Sequence, residues 1–235
     1  MNRRLPMDGW VIALFIMGAL LLAVRGWVAE HPEHDPWAPL DLNDPPGWAT
    51  ERKLAALRSD PQECRAVLER SGVAFIALPP AGEGACRRED RTVLEETPLG
   101  PDAPAVTCAV AAAAVLWLRQ AVQPAARDLL GSPVVRVEHF GSFSCRRLYG
   151  RASGSWSEHA TGNAIDVAAF VLEDGRRVSV AGDWDSGGNE AAFLRRARDQ
   201  ACRAFATVLS PEYNAAHADH LHLDQAGRGF GGVCR

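Results

Sequence analysis

Hydrophobic and polar positions divide the chain into three stretches. Residues 9–24, GWVIALFIMGALLLAV, are apolar without interruption. Residues 31–48, HPEHDPWAPLDLNDPPGW, mix prolines and acids with single apolar residues and show no period. From Ala49 to the end, apolar residues recur at helical or strand spacing between turn signals. This predicts three segments: an N-terminal signal-anchor over 1–28, a proline-rich linker over 29–48, and one globular domain over 49–235. The prolines remove the donors and backbone angles that helix or strand would need, so the linker is expected to be an extended spacer.

Within the domain, ATERKLAALRS (49–59) and PQECRAVLER (61–70) predict two short helices. GVAFIAL (72–78) reads as a buried strand, and RTVLEE (91–96) as a second strand after the Gly-rich AGEGAC turn. The Ala-rich 103–131 stretch predicts a helix to Gln120, a break around Pro124, and a second helix closed by Gly131, with Trp117 as packing. In the second half, SPVVRVEHFGSFSCR (132–146) reads as a strand and turn. NAIDVAAFVL (163–172) and RRVSVAG (176–182) read as strands joined at Asp174-Gly175. NEAAFLRRARDQACRAFATVLS (189–210) predicts an amphipathic helix with Ala192, Phe193, Ala197, Ala201 and Phe205 inward, and HADHLHLD (217–224) a returning strand. Strands joined by hairpins rather than repeated βαβ crossovers point to an α+β fold, a small antiparallel sheet with helices packed around it.

Composition changes this picture at two points. Lys and Arg number 25 against 29 Asp and Glu, without long single-sign runs, so nucleic acid is not expected as a partner. Six cysteines, Cys64, Cys86, Cys108, Cys145, Cys202 and Cys234, are dispersed with no C-x-x-C pair, which favours three disulfides over a zinc ribbon. Sequence leaves their pairing open, with Cys64–Cys86 and Cys202–Cys234 as natural local staples. Disulfides agree with export, and so does the start of the chain. Arg3 and Arg4 precede the apolar run, a charge order that keeps the amino end in the cytoplasm and sends the rest outward. The run is short for a span, but a snorkelling Arg25 before Trp27 would lengthen it. No clean cleavage site follows, so an anchor is favoured over a cleaved signal. The expected location is the inner membrane, single-pass, with the domain in the periplasm.

Four of the seven histidines fall in SEHATGNAID (157–166) and HADHLHLD, each with acids beside them. On a strand, His220, His222 and Asp224 share one face, with Asp219, Leu221 and Leu223 on the other. His159 and Asp166 approach each other across a turn eased by Gly162, and the strand from Asn163 presents Asp166, Ala168 and Phe170 together. Two nitrogens and a carboxylate oxygen on adjacent strands suit a zinc (Zn2+) site with an open fourth position, the form that catalytic zinc takes. His139 reads as structural. His31 and His34, a pair on a linker without a rigid frame, read as solvated.

The motifs SEHATGNAID and HADHLH resemble those of zinc peptidases that cut D-amino-acid bonds in peptidoglycan, whose fold is shared with lysostaphin-type enzymes and the Hedgehog signalling domain. GSFSCR, SEHATGNAIDVAAF, FLRRARDQAC and PEYNAAHADHLHLD resemble the bacterial extensin-like C-terminal family from about Glu63 to Cys234. The resemblance implies zinc ligands at His159, Asp166 and His222, a base or transition-state stabiliser at His220, and a further active-site histidine at His217. It also implies a substrate-carboxylate contact at Ser157 and a carbonyl-polarising arginine at Arg146. The implied activity is a zinc-dependent carboxypeptidase or endopeptidase acting on peptidoglycan peptides. One departure is the absence of the dipeptidases' glutamate base: Asp219 holds that place, and a regular strand would turn it away. The Hedgehog likeness keeps a second reading alongside, a non-catalytic zinc-containing wall-binding protein.

Overall fold

A computed structural model describes residues 7–100, 102–227 and 232–235. Helix α1, Met7–Glu30, is a continuous 24-residue helix. At about 1.5 Å per residue it reaches about 36 Å, enough for a hydrocarbon core of about 30 Å. It is long and apolar enough to cross a membrane. The apolar run ends at Val24, and the helix continues through Arg25 and Gly26 to Glu30, two residues beyond the expected segment. Arg3 and Arg4 lie outside the described residues.

The proline-rich stretch differs from the expected spacer. Leu40 and Leu42 are buried in the main core, and the Leu42 amide donates to Ser71 Oγ at 2.9 Å. Gln120 Nε2 donates to the Asn43 carbonyl at 2.9 Å. Prolines prevent regular structure but not docking, and two leucines are enough to hold the strap to the domain. The His34 ring stacks on both Trp27 and Trp48, so this histidine is an aromatic packing partner rather than simply solvated.

Helices α2 (Thr50–Ala56) and α3 (Pro61–Arg70) match expectation. Asp60 caps α3, accepting the Glu63 amide at 2.9 Å, and Pro61 occupies the first turn, where its missing donor costs nothing. Strands β1 (Phe75–Leu78) and β2 (Arg91–Leu94) form a separate antiparallel pair. β1 was expected to be buried, but as one strand of a two-stranded ribbon it leaves Ile76 exposed. Helix α4 (Cys108–Trp117) is buried at every residue, which is why its composition is apolar all round rather than striped. A π turn, Leu118–Val122, joins it to α5 (Gln123–Leu130). That turn takes up the expected break, leaving Pro124 in the first turn of α5, and Gly131 closes the helix at φ 69°.

The second half holds β3 (Val134–His139), β4 (Ala164–Leu172), β5 (Arg177–Ser179), α6 (Val180–Asp183), α7 (Asn189–Ala201), β6 (Thr207–Leu209), β7 (Leu221–Asp224) and β8 (Val233–Cys234). They build a six-stranded sheet in the order β3-β4-β7-β6-β8, with β5 also paired to β4. The fold is α+β, but the sheet is larger than expected and mixed, because β8 runs parallel to β6. Two features lie behind the difference. α7 stops at Ala201, freeing Thr207–Leu209 to form a strand where a helix end was expected. The Cys202–Cys234 disulfide then draws the C-terminal strand to that edge. On α7 the inward residues are Ala191, Phe193, Leu194, Ala197 and Ala201, whereas Ala192 is exposed.

β4 breaks simple alternation. Opposite β3, Glu138 pairs with Ala169 and His139 with Val167, so Ala168 is an extra residue, a β-bulge. Beyond it the phase flips, and Phe170 joins Ile165 and Val167 in the core instead of sharing a face with Asp166. Phe170 packs edge-on to Trp117 and Phe193, and Trp117 Nε1 donates to the Ala197 carbonyl at 2.8 Å.

The other two disulfides are Cys64–Cys108 and Cys86–Cys145, not Cys64–Cys86. Packing of α3 on α4 brings the Cα atoms of Cys64 and Cys108 to 6.0 Å. Cys86 is left to tie the β1–β2 loop to the segment just before the histidine motif.

Candidate metal centre

In the antiparallel pairing of β4 and β7, Asp166 lies opposite His222 and Ala164 opposite Asp224. Directly opposed residues share a face, so the carboxyl and imidazole meet above the sheet. Leu221 and Leu223, on the other face, are fully buried in the core. His159 arrives from the 3-10 turn Glu158–Thr161 that precedes β4. Ser157 caps that turn, its Oγ accepting the His159 amide at 3.3 Å. Gly162 ends it at φ 71°, where a Cβ would come within 3.3 Å of the Ala105 carbonyl oxygen. The left-handed backbone and the close approach both favour glycine here.

The three side chains converge tightly. His159 Nε2 is 3.0 Å from His222 Nδ1 and 3.2 Å from Asp166 Oδ1. His222 Nδ1 is 2.9 Å from the same carboxylate oxygen. The opposite ring nitrogens are committed outward: His159 Nδ1 donates to the Ser142 carbonyl at 3.0 Å, and His222 Nε2 donates to Asp224 Oδ2 at 3.1 Å. With those protons placed, two imidazole lone pairs and a carboxylate oxygen face one another. In the neutral rings that repulsion is relieved by a metal cation between them or by a further proton on His222 Nδ1, given to Asp166. A tetrahedral zinc with bonds of about 2.0–2.1 Å needs ligand atoms about 3.3 Å apart, close to the triangle present. Outward donation from a ligating imidazole to a carbonyl or carboxylate is the usual support of such a ligand. These three residues therefore fit a metal ion.

The electrostatics agree. For His222, burial opposes the charged form, but hydrogen bonds with Asp166 and Asp224 outweigh it, and its pKa is pushed up to about 9. For Asp166, burial would raise the pKa, yet hydrogen bonds with His159 and His222 hold it well below the usual carboxylate range. Both shifts describe a site that stabilises positive charge.

The other anticipated residues, Ser157, His217, His220 and Arg146, line the same cavity of about 200 Å3. His220 Nε2 lies 3.6 Å from Asp166 Oδ1, and its Nδ1 donates to Asp219 Oδ1 at 2.8 Å. Asp219 itself stays outside the cavity and exposed, as expected, yet it reaches the outer nitrogen of His220. β7 begins only at Leu221, so residues 219 and 220 sit in a turn where strand alternation does not apply. His217 ends the 3-10 turn Ala215–His217 and donates from Nδ1 to Asn214 Oδ1 at 2.8 Å. Burial, then the like charges of His220 and His222, push its pKa down to about 4, so it is neutral near pH 7. His139 lies on β3, apart from the metal group. Three supporting groups carried no assigned role in the sequence reading: the Ser142 carbonyl, Asp219 and Asp224. Asp224 had a visible signal, since it shares the strand face of His222.

No curated protein and no solved structure is significantly similar to the chain. Residues 62–235, which carry all three disulfides and the metal centre, match the family described as Extensin-like protein C-terminus, and the chain belongs to that family.

Proposed function

We propose that this protein is a zinc-dependent hydrolase of cell-wall peptides, cleaving amide bonds that involve D-amino acids in peptidoglycan, and that α1 anchors it in the inner membrane with the domain in the periplasm. The observation that carries the hydrolase reading is the triangle of His159 Nε2, Asp166 Oδ1 and His222 Nδ1, with the outer nitrogen of each ring already committed elsewhere. Two imidazoles and one carboxylate suit zinc, and a set of three protein ligands is the form that catalytic zinc sites take. Three disulfides and the charge order of the N-terminus support the location.

A zinc ion held by His159, Asp166 and His222 would supply Lewis-acid chemistry at the cavity, polarising a carbonyl and acidifying water. His220 is placed to move the proton. Its Nδ1–H is fixed on Asp219, which leaves the Nε2 lone pair turned toward Asp166 and the centre. From there it takes a proton from the attacking water and returns it to the leaving amine. Arg146, at the cavity edge, stabilises the negative charge developing on the carbonyl oxygen. Neutral His217 offers Nε2 as an acceptor, and Ser157 positions the substrate end. The test uses the full chain in detergent: zinc content by metal analysis, and mass spectrometry of muropeptides with and without chelator. Expected are one zinc per chain and chelator-sensitive cleavage. One bound zinc without any cleavage would replace this reading with the zinc-fixed wall-binding protein.

A further inference from the structure

Beside the metal centre, residues 147–156 form a short hairpin. Arg147 and Trp156 make an antiparallel bridge, and the Leu148 amide donates to the Ser155 carbonyl at 3.0 Å. Leu148, Tyr149 and Trp156 line the cavity, yet each keeps a large exposed area. Tyr149 sits at φ 57°, ψ 24°, a left-handed backbone that is costly for a bulky aromatic residue. Strain of this kind persists at sites where the side chain has a task.

A gathering of arginines beside aromatic rings marks this wall. Many arginines elsewhere are tied to carboxylates, among them Arg65 to Asp90, Arg176 to Asp174 and Arg177 to Glu138. Among the described residues, Arg88, Arg146, Arg147 and Arg151 form no ion pair, as is true also of Arg58, Arg91 and Arg127, but only here do such arginines gather beside exposed aromatic residues. Three of them lie over aromatic rings instead: Arg147 at 4.4 Å from Trp156, Arg151 at 5.6 Å from Tyr149, and Arg88 at 3.8 Å from Phe143. The Cys86–Cys145 disulfide joins the loop of Arg88 to the segment that leads into the hairpin. On a chain of net charge -4, this is a local basic and aromatic surface, of which Arg146, Leu148, Tyr149 and Trp156 line the cavity. Guanidinium groups that rest on aromatic faces stay charged; Arg147 gives Nη1 to the Gly154 carbonyl within the hairpin and has its remaining donors for a carboxylate.

We propose that the hairpin Arg147–Trp156 is a substrate-gripping wall for an extended chain that carries carboxylates. Arg147 and Arg151 pair with those carboxylates, and Tyr149 and Trp156 cover the chain's apolar faces. This rests on the hydrolase reading for the identity of the chain, a wall peptide, but its binding is measured separately.

The experiment is co-sedimentation of the full-length protein, in detergent, with purified peptidoglycan, alongside cleavage kinetics. The double substitution Arg147→Gln/Arg151→Gln is expected to weaken sedimentation about tenfold or more, to flatten its salt dependence, and to raise KM more than it lowers kcat, with zinc content unchanged. Peptidoglycan whose carboxylates have been amidated should bind the wild type as weakly as native peptidoglycan binds the double variant. Tyr149→Gly should raise the melting temperature by relieving the strain while weakening binding, a pairing that loss of fold cannot produce. Unchanged binding in the double variant, or indifference to amidation, overturns the proposal. Wild type that sediments with the wall but releases no fragments refutes hydrolysis and leaves the hairpin standing. Wild type that cleaves while the hairpin variants match it refutes the hairpin alone, and a wild type that neither binds nor cleaves overturns both.

Discussion

The two faces of β7 divide the work of this protein between alternate residues. Leu221 and Leu223 are sealed in the core beneath the sheet. His222 and Asp224, one position along in each case, stand above it in the metal centre. The lower face needs volume and apolarity, and a substitution of similar size there costs little. The upper face needs particular atoms at particular distances, and an isosteric change there removes a donor or a charge. Stability and chemistry should therefore come apart under single substitutions at adjacent residues.

The sharpest break comes from the ligands. Asp166→Ala or His159→Ala should abolish zinc binding and bring cleavage to background, while far-UV circular dichroism of the disulfide-linked domain stays native. Full zinc occupancy in both variants would remove the ligand assignment. On the other face, Leu223→Ala should cost about 2–5 kcal/mol in denaturant unfolding and leave zinc stoichiometry at one below the transition. If it loses metal without losing stability, the two faces are not separate.

His220→Gln should retain zinc and lose turnover by ~100-fold or more, with Asp219→Asn causing a smaller loss because it removes only the orienting partner. His220→Gln losing zinc would make that residue a ligand. Asp224→Asn should keep the fold and weaken zinc affinity about 10–100-fold, read by competition with a chromogenic chelator.

The mildest test is pH. In metal-free protein the His222 pKa, raised to about 9, exceeds the ordinary value of 6.5. Its stabilising contribution is therefore complete below pH 6.5 and is lost as pH rises toward 9. Zinc must displace that proton, so zinc affinity should rise through the same interval, by at most about tenfold per pH unit. Asp166, with a depressed pKa, contributes stability above the ordinary carboxylate range and loses it only as the medium becomes strongly acidic. A metal-free melting temperature that does not fall between pH 6.5 and 9 would show that His222 holds no such proton.

Much of the centre was legible in the chain. The alternation of HLHLD places His222 and Asp224 opposite Leu221 and Leu223, and Gly162 marks the turn that carries His159. Misreadings arose where one residue altered a local rule. The bulge at Ala168 moved Phe170 to the core face, and the late start of β7 let Asp219 reach His220. Thr207–Leu209 continued an apolar pattern compatible with a helix, and only its place between β7 and β8 makes it a strand. In the proline-rich stretch, Leu40 and Leu42 carried too little pattern to announce a docked segment.

By itself the sequence determined the apolar N-terminal helix, most of the elements of the domain, and the donor types able to hold a metal. These depend on backbone angles and on periods of two or 3.6 residues, which a few neighbouring side chains decide. Tertiary structure alone decided that Cys64 meets Cys108 rather than Cys86, that His159 comes within 3.0 Å of a histidine 63 positions away, and which nitrogen of each ring is left to face the metal. Those contacts follow from how whole helices and strands pack, and each proton is placed by an acceptor, the Ser142 carbonyl or Asp224, that only the folded chain brings into reach.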